Sequence, residues 1–159
     1  MKRKIKKGTV IGIHQMLDGA KCPGTSARKT MFKAMYPMKA VADGFDVYRD
    51  EAVKRLRPDN YDEVAGLVQK FAAMDADAQK AAINEPLYKD ALTANYEFNT
   101  ALNQCLGEER DKDVELDFAP LTDEVFDTLC DANPDWTLGQ CMELRDVLCG
   151  EPNEEGGKA

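Results

Sequence analysis

Between Ser26 and Pro58 apolar residues return every third or fourth position: Met31, Met35, Met38, Ala42, Phe45, Ala52 and Leu56. That interval matches the 3.6-residue turn of an α-helix, so the stripe predicts one long helix with a buried face. Phe32, Tyr36, Val41 and Tyr48 are expected to widen that face. Pro37 lacks a backbone donor and predicts a kink near 33–37, and Pro58 stops the helix. Ser26, after the turn Cys22-Pro23-Gly24-Thr25, is the expected N-cap.

The same period extends through the rest of the chain. Asp59 or Asn60 is expected to cap a helix with Val64, Leu67, Val68 and Phe71 as its stripe, and 75–83 reads as a further short helix. Pro86 suits the first position of another, with a core face from Leu87 and Tyr88 to Cys105 and an end at Gly107. Thr122 with Asp123 and Glu124 opens a helix through Cys130. Thr137 with Gln140 forms a capping box for the last, which carries Leu138, Cys141, Met142, Leu148 and Cys149.

Two segments break the helical pattern. Val114-Glu115-Leu116-Asp117-Phe118 alternates strictly, which predicts a strand, and Lys4-Ile5-Lys6 is its expected mate because opposite charges attract across a ladder. Thr9 is read as the cap of a helix over 10–18 closed by Gly19, with a strand through Val10-Ile11-Gly12-Ile13 as the rival. The fold class expected is mainly α: a helical bundle with a long kinked helix and a minor two-stranded antiparallel sheet. A single helical domain is expected over 1–150, followed by a flexible acidic tail over 151–159, which has little to anchor it.

Composition narrows the function classes. No apolar run approaches the roughly 20 residues that span a bilayer. The basic start followed by Val10-Ile11-Gly12-Ile13 imitates a signal peptide, but that stretch is short and broken by His14 and Gln15, so secretion is not expected. The five cysteines (Cys22, Cys105, Cys130, Cys141, Cys149) are odd in number and form no C-x-x-C pair. A reduced cytoplasm and small-hydrophobe roles follow for them. With one histidine, the chain offers no zinc set. The run Asp111-Lys112-Asp113-Val114-Glu115 imitates a calcium loop, but Leu116 stands where glycine is required and Thr122 where the bidentate glutamate belongs. No metal or cofactor is expected.

Three groupings could carry chemistry. Cys22 and Arg28 satisfy C-x5-R, the spacing with which cysteine phosphatases cradle a phosphate between backbone amides and an arginine. No strand delivers Cys22, however, and Pro23 removes one amide of the cradle, so a turn cysteine is the preferred reading. His14 as a base for Cys22 is read as structural. Lys2, Arg3, Lys4, Lys6 and Lys7 could meet phosphates, but no aromatics interleave with them, and a lysine-protected edge strand is preferred over nucleic-acid binding. Asp43, Asp46 and Asp50 read as a solvated face, and the Met31, Met35, Met38 stripe as core rather than an adaptable binding surface.

The charge is divided unevenly. Residues 1–58 hold 14 lysines and arginines against 5 acids, and residues 59–159 hold 7 against 24. The basic and acidic segments are expected to lie against each other within one chain or between copies.

The order of parts, with Tyr96-Glu97-Phe98-Asn99 in the penultimate long helix and the acidic strand 114–118 leading into Pro120-Leu121, resembles a group of small phage- and prophage-encoded proteins found among virion and tail genes. The resemblance covers most of 1–130 and is one of layout. It implies a structural or interaction role, possible virion association, and no site residues. The leading expectation is a non-enzymatic protein-interaction or structural module with a protein partner or self-association, and no small-molecule substrate or membrane. The alternatives are a phosphatase-type hydrolase using Cys22 and Arg28, or an acidic regulator of a basic partner.

Overall fold

The computed structural model describes residues 2–150; the expected tail over 151–159 lies outside them. Among the described residues seven helices and two strands follow one another: β1 (Lys2–Lys6), α1 (Lys7–Asp18), α2 (Thr25–Leu56), α3 (Tyr61–Ala72), α4 (Ala76–Ala82), α5 (Pro86–Arg110), β2 (Asp113–Asp117), α6 (Asp123–Ala132) and α7 (Leu138–Leu148). The expected fold class holds: mainly helical, with one long helix and a two-stranded antiparallel sheet. The residues expected to form one domain group into two compact units, 2–46 with 110–150, and 47–109.

In the first unit β1 and β2 pair as their charges predict, with Lys4 opposite Glu115, Ile5 opposite Val114 and Lys6 opposite Asp113. Lys6 Nζ lies 3.1 Å from Asp113 and Lys2 Nζ 3.7 Å from Glu115. These pairs are exposed and contribute at most about 1 kcal/mol each, so they set register more than stability. The ribbon is held by what it packs against. Leu116 is buried among Val10, Ile13 and Leu17 of α1, Met31 and Met38 of α2, Leu129 of α6 and Leu144 of α7, with Ile5 and Val114 beside them.

α1 begins at Lys7, directly after the strand, and Thr9 lies inside it rather than capping it. The strand reading of 10–13 is therefore excluded. Gly8 sits in the first helical turn, where a Cβ would meet the Cβ of Arg110 at 3.2 Å. A larger residue would require Arg110 to give way by a few tenths of an ångström, and a Cβ moves only with its backbone. Similarly Ser26 is inside α2, which starts at Thr25 after Gly24, and Gly24 takes φ +88°, a conformation that favours glycine. α2 runs unbroken as helix through Pro37. α5 continues past Gly107 to Arg110, because burial of Leu106, worth about 2 kcal/mol, outweighs glycine's cost of about 1 kcal/mol in a helix.

Two caps form as expected. Thr122 accepts from Val125 N–H at 3.3 Å, and Thr137 with Gln140 makes the full capping box. Asn60 occupies the cap position of α3 without a side-chain cap bond.

The second unit comprises the rest of α2 with α3, α4 and α5 up to residue 109. Its buried apolar residues are few and mostly small: Ala52, Val64, Ala82, Ala91, Phe98 and Leu106. Tyr61 meets Phe98 edge to face at 5.5 Å between ring centroids, and Phe71 lies 6.2 Å from Tyr88. Gln79 Nε2 donates to the Phe71 carbonyl at 3.1 Å, tying α4 to α3.

Candidate functional site

The turn between α1 and α2 is anchored by Asn133, at the end of α6. Its side chain donates to the Lys21 carbonyl at 2.7 Å and to the Leu129 carbonyl at 2.8 Å, and it accepts from Lys21 N–H at 2.9 Å. This clamp seats Cys22 against the core, and with it one wall of a cavity of about 240 Å³. Leu17, Met31, Met35 and Leu129 form its apolar lining, and Cys22, Arg28 and Asp18 also line it. The structure thus brings Cys22 and Arg28 to one cavity, the convergence that a phosphatase-type site requires.

The chemistry of the cavity differs from such a site. Burial pushes the Cys22 thiol above its ordinary value, and the nearby Arg28 only partly offsets this. A protonated thiol is a poor nucleophile. Arg28 Nε donates to the Gly24 carbonyl at 3.3 Å, so part of the guanidinium is engaged by its own turn. Pro23 offers no amide, and α1 rather than a strand precedes the turn. His14, half-buried on α1, is not among the residues lining the cavity.

Phe32 also lines the cavity, and Tyr36 lies one helical turn beyond it. Both were expected in the core; instead they are 52% and 69% exposed. The methionine stripe is split in the same way, since Met31 and Met38 are buried while Met35 reaches the cavity. The rim is basic. From 19 to 42 the sequence holds five lysines and arginines and no acid. Of these Lys39 pairs with Asp43, and Lys29 and Lys33 make no ion pair among the described residues.

The other expected groupings have structural roles. Lys2 and Lys6 serve the ribbon, and Arg3 packs its guanidinium 5.2 Å from the Phe118 ring centre and donates to the Val147 carbonyl. Burial lowers its pKa. Asp113 and Glu115, from the calcium-like run, face lysines across the sheet. Among the described residues no group of three or more His, Cys, Asp or Glu could hold a metal ion.

Two thiol contacts were not anticipated. Cys130 and Cys141 place their sulfurs 3.9 Å apart between α6 and α7, and burial together with Cys141 pushes the Cys130 thiol up to about 11. In the second unit Tyr48 Oη lies 3.0 Å from Cys105 Sγ, and Arg55 donates to the same sulfur at 3.4 Å. These partners are 57 and 50 positions apart, beyond what local spacing reveals.

No protein-family model matches the chain, and neither does any curated protein or solved structure. Among the described residues no helix is long and apolar enough to cross a membrane.

Proposed function

We propose that this chain is a non-enzymatic protein-interaction module whose apolar cleft receives an apolar anchor from a protein partner, with Phe32 and Tyr36 packing around it. The carrying observation is the pair of aromatics left 52% and 69% exposed beside a cleft lined by Leu17, Met31, Met35 and Leu129. Aromatic side chains at such a rim supply large contact area at low entropic cost, and they dominate binding energy in protein interfaces. An assembly role of the kind implied by the phage-protein resemblance fits this reading. It sets the protein in the cytoplasm or on a virion, and free, half-buried cysteines fit a reduced compartment.

The hydrolase reading draws on one specific observation, the shared cavity of Cys22 and Arg28. The raised thiol pKa and the apolar lining weigh against it. Two measurements decide between them. A photoreactive benzoylphenylalanine replacing Phe32 should give a discrete protein adduct in the native cells, lost on adding Met35→Glu, while the same probe at the exposed Val47 should give none. Absence of any adduct at 32, together with aryl phosphate hydrolysis abolished by Cys22→Ser, would replace this function with catalysis.

A further inference from the structure

We infer that the occupant of the cleft is a second copy of this chain, which inserts the Leu138–Met142 face of its α7. The inference rests on the interaction reading above and names its partner.

α7 carries two apolar stripes. Leu144, Val147 and Leu148 are buried in the core, whereas Leu138 and Met142, one turn apart, are 85% and 68% exposed. Among the described residues Leu138 and Met142 take no part in the core cluster, although their helix is firmly started by the capping box at Thr137. Its surroundings are acidic. Between 121 and 150 stand seven acids and one base, Arg145, whose charge is taken up by Asp123 at 2.8 Å. Asp135, Glu143 and Asp146 lie exposed around Leu138 and Met142.

The cleft has the opposite character. Phe32 and Tyr36 stand among exposed Arg28, Lys29 and Lys33, and Asp18 is the one carboxylate among the residues lining it. Each face therefore has an apolar centre and a charged rim, and the rims differ in sign. Two copies of the cleft repel each other, as do two copies of the α7 face, but cleft and α7 face attract. The contact therefore joins unlike faces, the cleft of one copy and the α7 face of another. Exchanged reciprocally these faces close a symmetric dimer; used one at a time they leave a cleft and an α7 face open, and association continues into a ring or a filament. With two apolar side chains at its centre, the contact falls below the roughly 1,200 Å² of stable interfaces and is weak and reversible. Salt screens the rims over about 8–10 Å but leaves the apolar centre, so affinity falls only in part as ionic strength rises.

Sedimentation of the full chain over a range of concentrations tests this. The unaltered protein should show reversible, concentration-dependent self-association to a dimer or larger species. Phe32→Glu, which closes the cleft, and Met142→Lys, which spoils the α7 face, should each remain monomeric, with a dissociation constant raised at least about tenfold. Both positions are exposed, so circular dichroism and melting temperature should be unchanged. Mixed together, the two variants should form a one-to-one dimer and nothing larger, because one brings an intact α7 face and the other an intact cleft. A monomer at every concentration, assembly by either variant alone, or no dimer in the mixture would each overturn the inference. If the unaltered protein stays monomeric while the probe at 32 still captures a different protein, self-association fails and the interaction reading stands. If both are blank, both fail.

Discussion

The two compact units are built from similar helices, yet they bury very different things. The unit of 2–46 with 110–150 places leucine, isoleucine, methionine and phenylalanine from four helices and a strand into one cluster. The unit of 47–109 buries three alanines with Val64, Phe98 and Leu106, and leaves Leu67, Phe71 and Tyr88 only half-covered. Apolar burial contributes about 25 cal/mol per Å², and alanine has little area to contribute. Helix content alone is therefore a poor guide to which part of this protein is firmly held. The second unit should open first, and its amides should exchange with solvent sooner than those of α1, α6 and α7.

The comparison can be broken most directly in the cores. Leu144, fully buried, should cost about 2–5 kcal/mol when replaced by alanine, read from the denaturant midpoint. Leu67→Ala should cost only about 1 kcal/mol. Equal losses would erase the distinction between the units. A smaller effect comes from titration. Because Cys130 is pushed up to about 11 from 9.0, the folded state keeps a proton that the unfolded chain releases first. Its stabilising contribution is complete below pH 9 and should disappear as pH rises from about 9 to 11. Melting temperature measured across that window should fall less steeply in Cys130→Val, and an unchanged slope would assign the loss to other groups.

The smallest contrast is in the caps. Thr137→Ala removes a complete capping box and should cost about 1 kcal/mol. Asn60→Ala in the second unit removes no cap bond and should fall within about 0.5 kcal/mol of zero. A marked loss at Asn60 would show that α3 is held more firmly at its start than its side chains indicate.

What could be read beforehand divides along the range of the forces involved. The caps at Thr122 and Thr137 were legible because cap and recipient amide lie three residues apart. The ribbon was legible because alternation and charge specify partner and register together. At Thr9 and Ser26 the same logic failed, since a helix started by the preceding chain direction needs no hydroxyl at that point. Periodicity placed Met31, Phe32, Met35 and Tyr36 on one broad face but could not say how much of it neighbours cover. Met31 is buried in the cluster that also holds Leu17 and Leu129, whereas Phe32 and Tyr36 stay exposed, and that cluster draws on distant parts of the chain. In α7, Leu138 and Met142 were grouped with the buried Leu148, whereas they form a separate stripe. Two apolar stripes on one short helix were the overlooked signal of an exposed apolar surface.

The pairing of β1 with β2 also bears on how the chain is made. Lys6 is bonded to a carbonyl 105 positions later, at Asp111, and Leu121 N–H to the carbonyl of Leu148. During synthesis the first strand leaves the ribosome long before its mate exists, so its lysines must keep an unpaired edge soluble in the meantime. The contiguous 47–109 segment can assemble during this wait, but the well-packed unit closes only when α7 has emerged. The sturdier half of the molecule is thus the last to be finished.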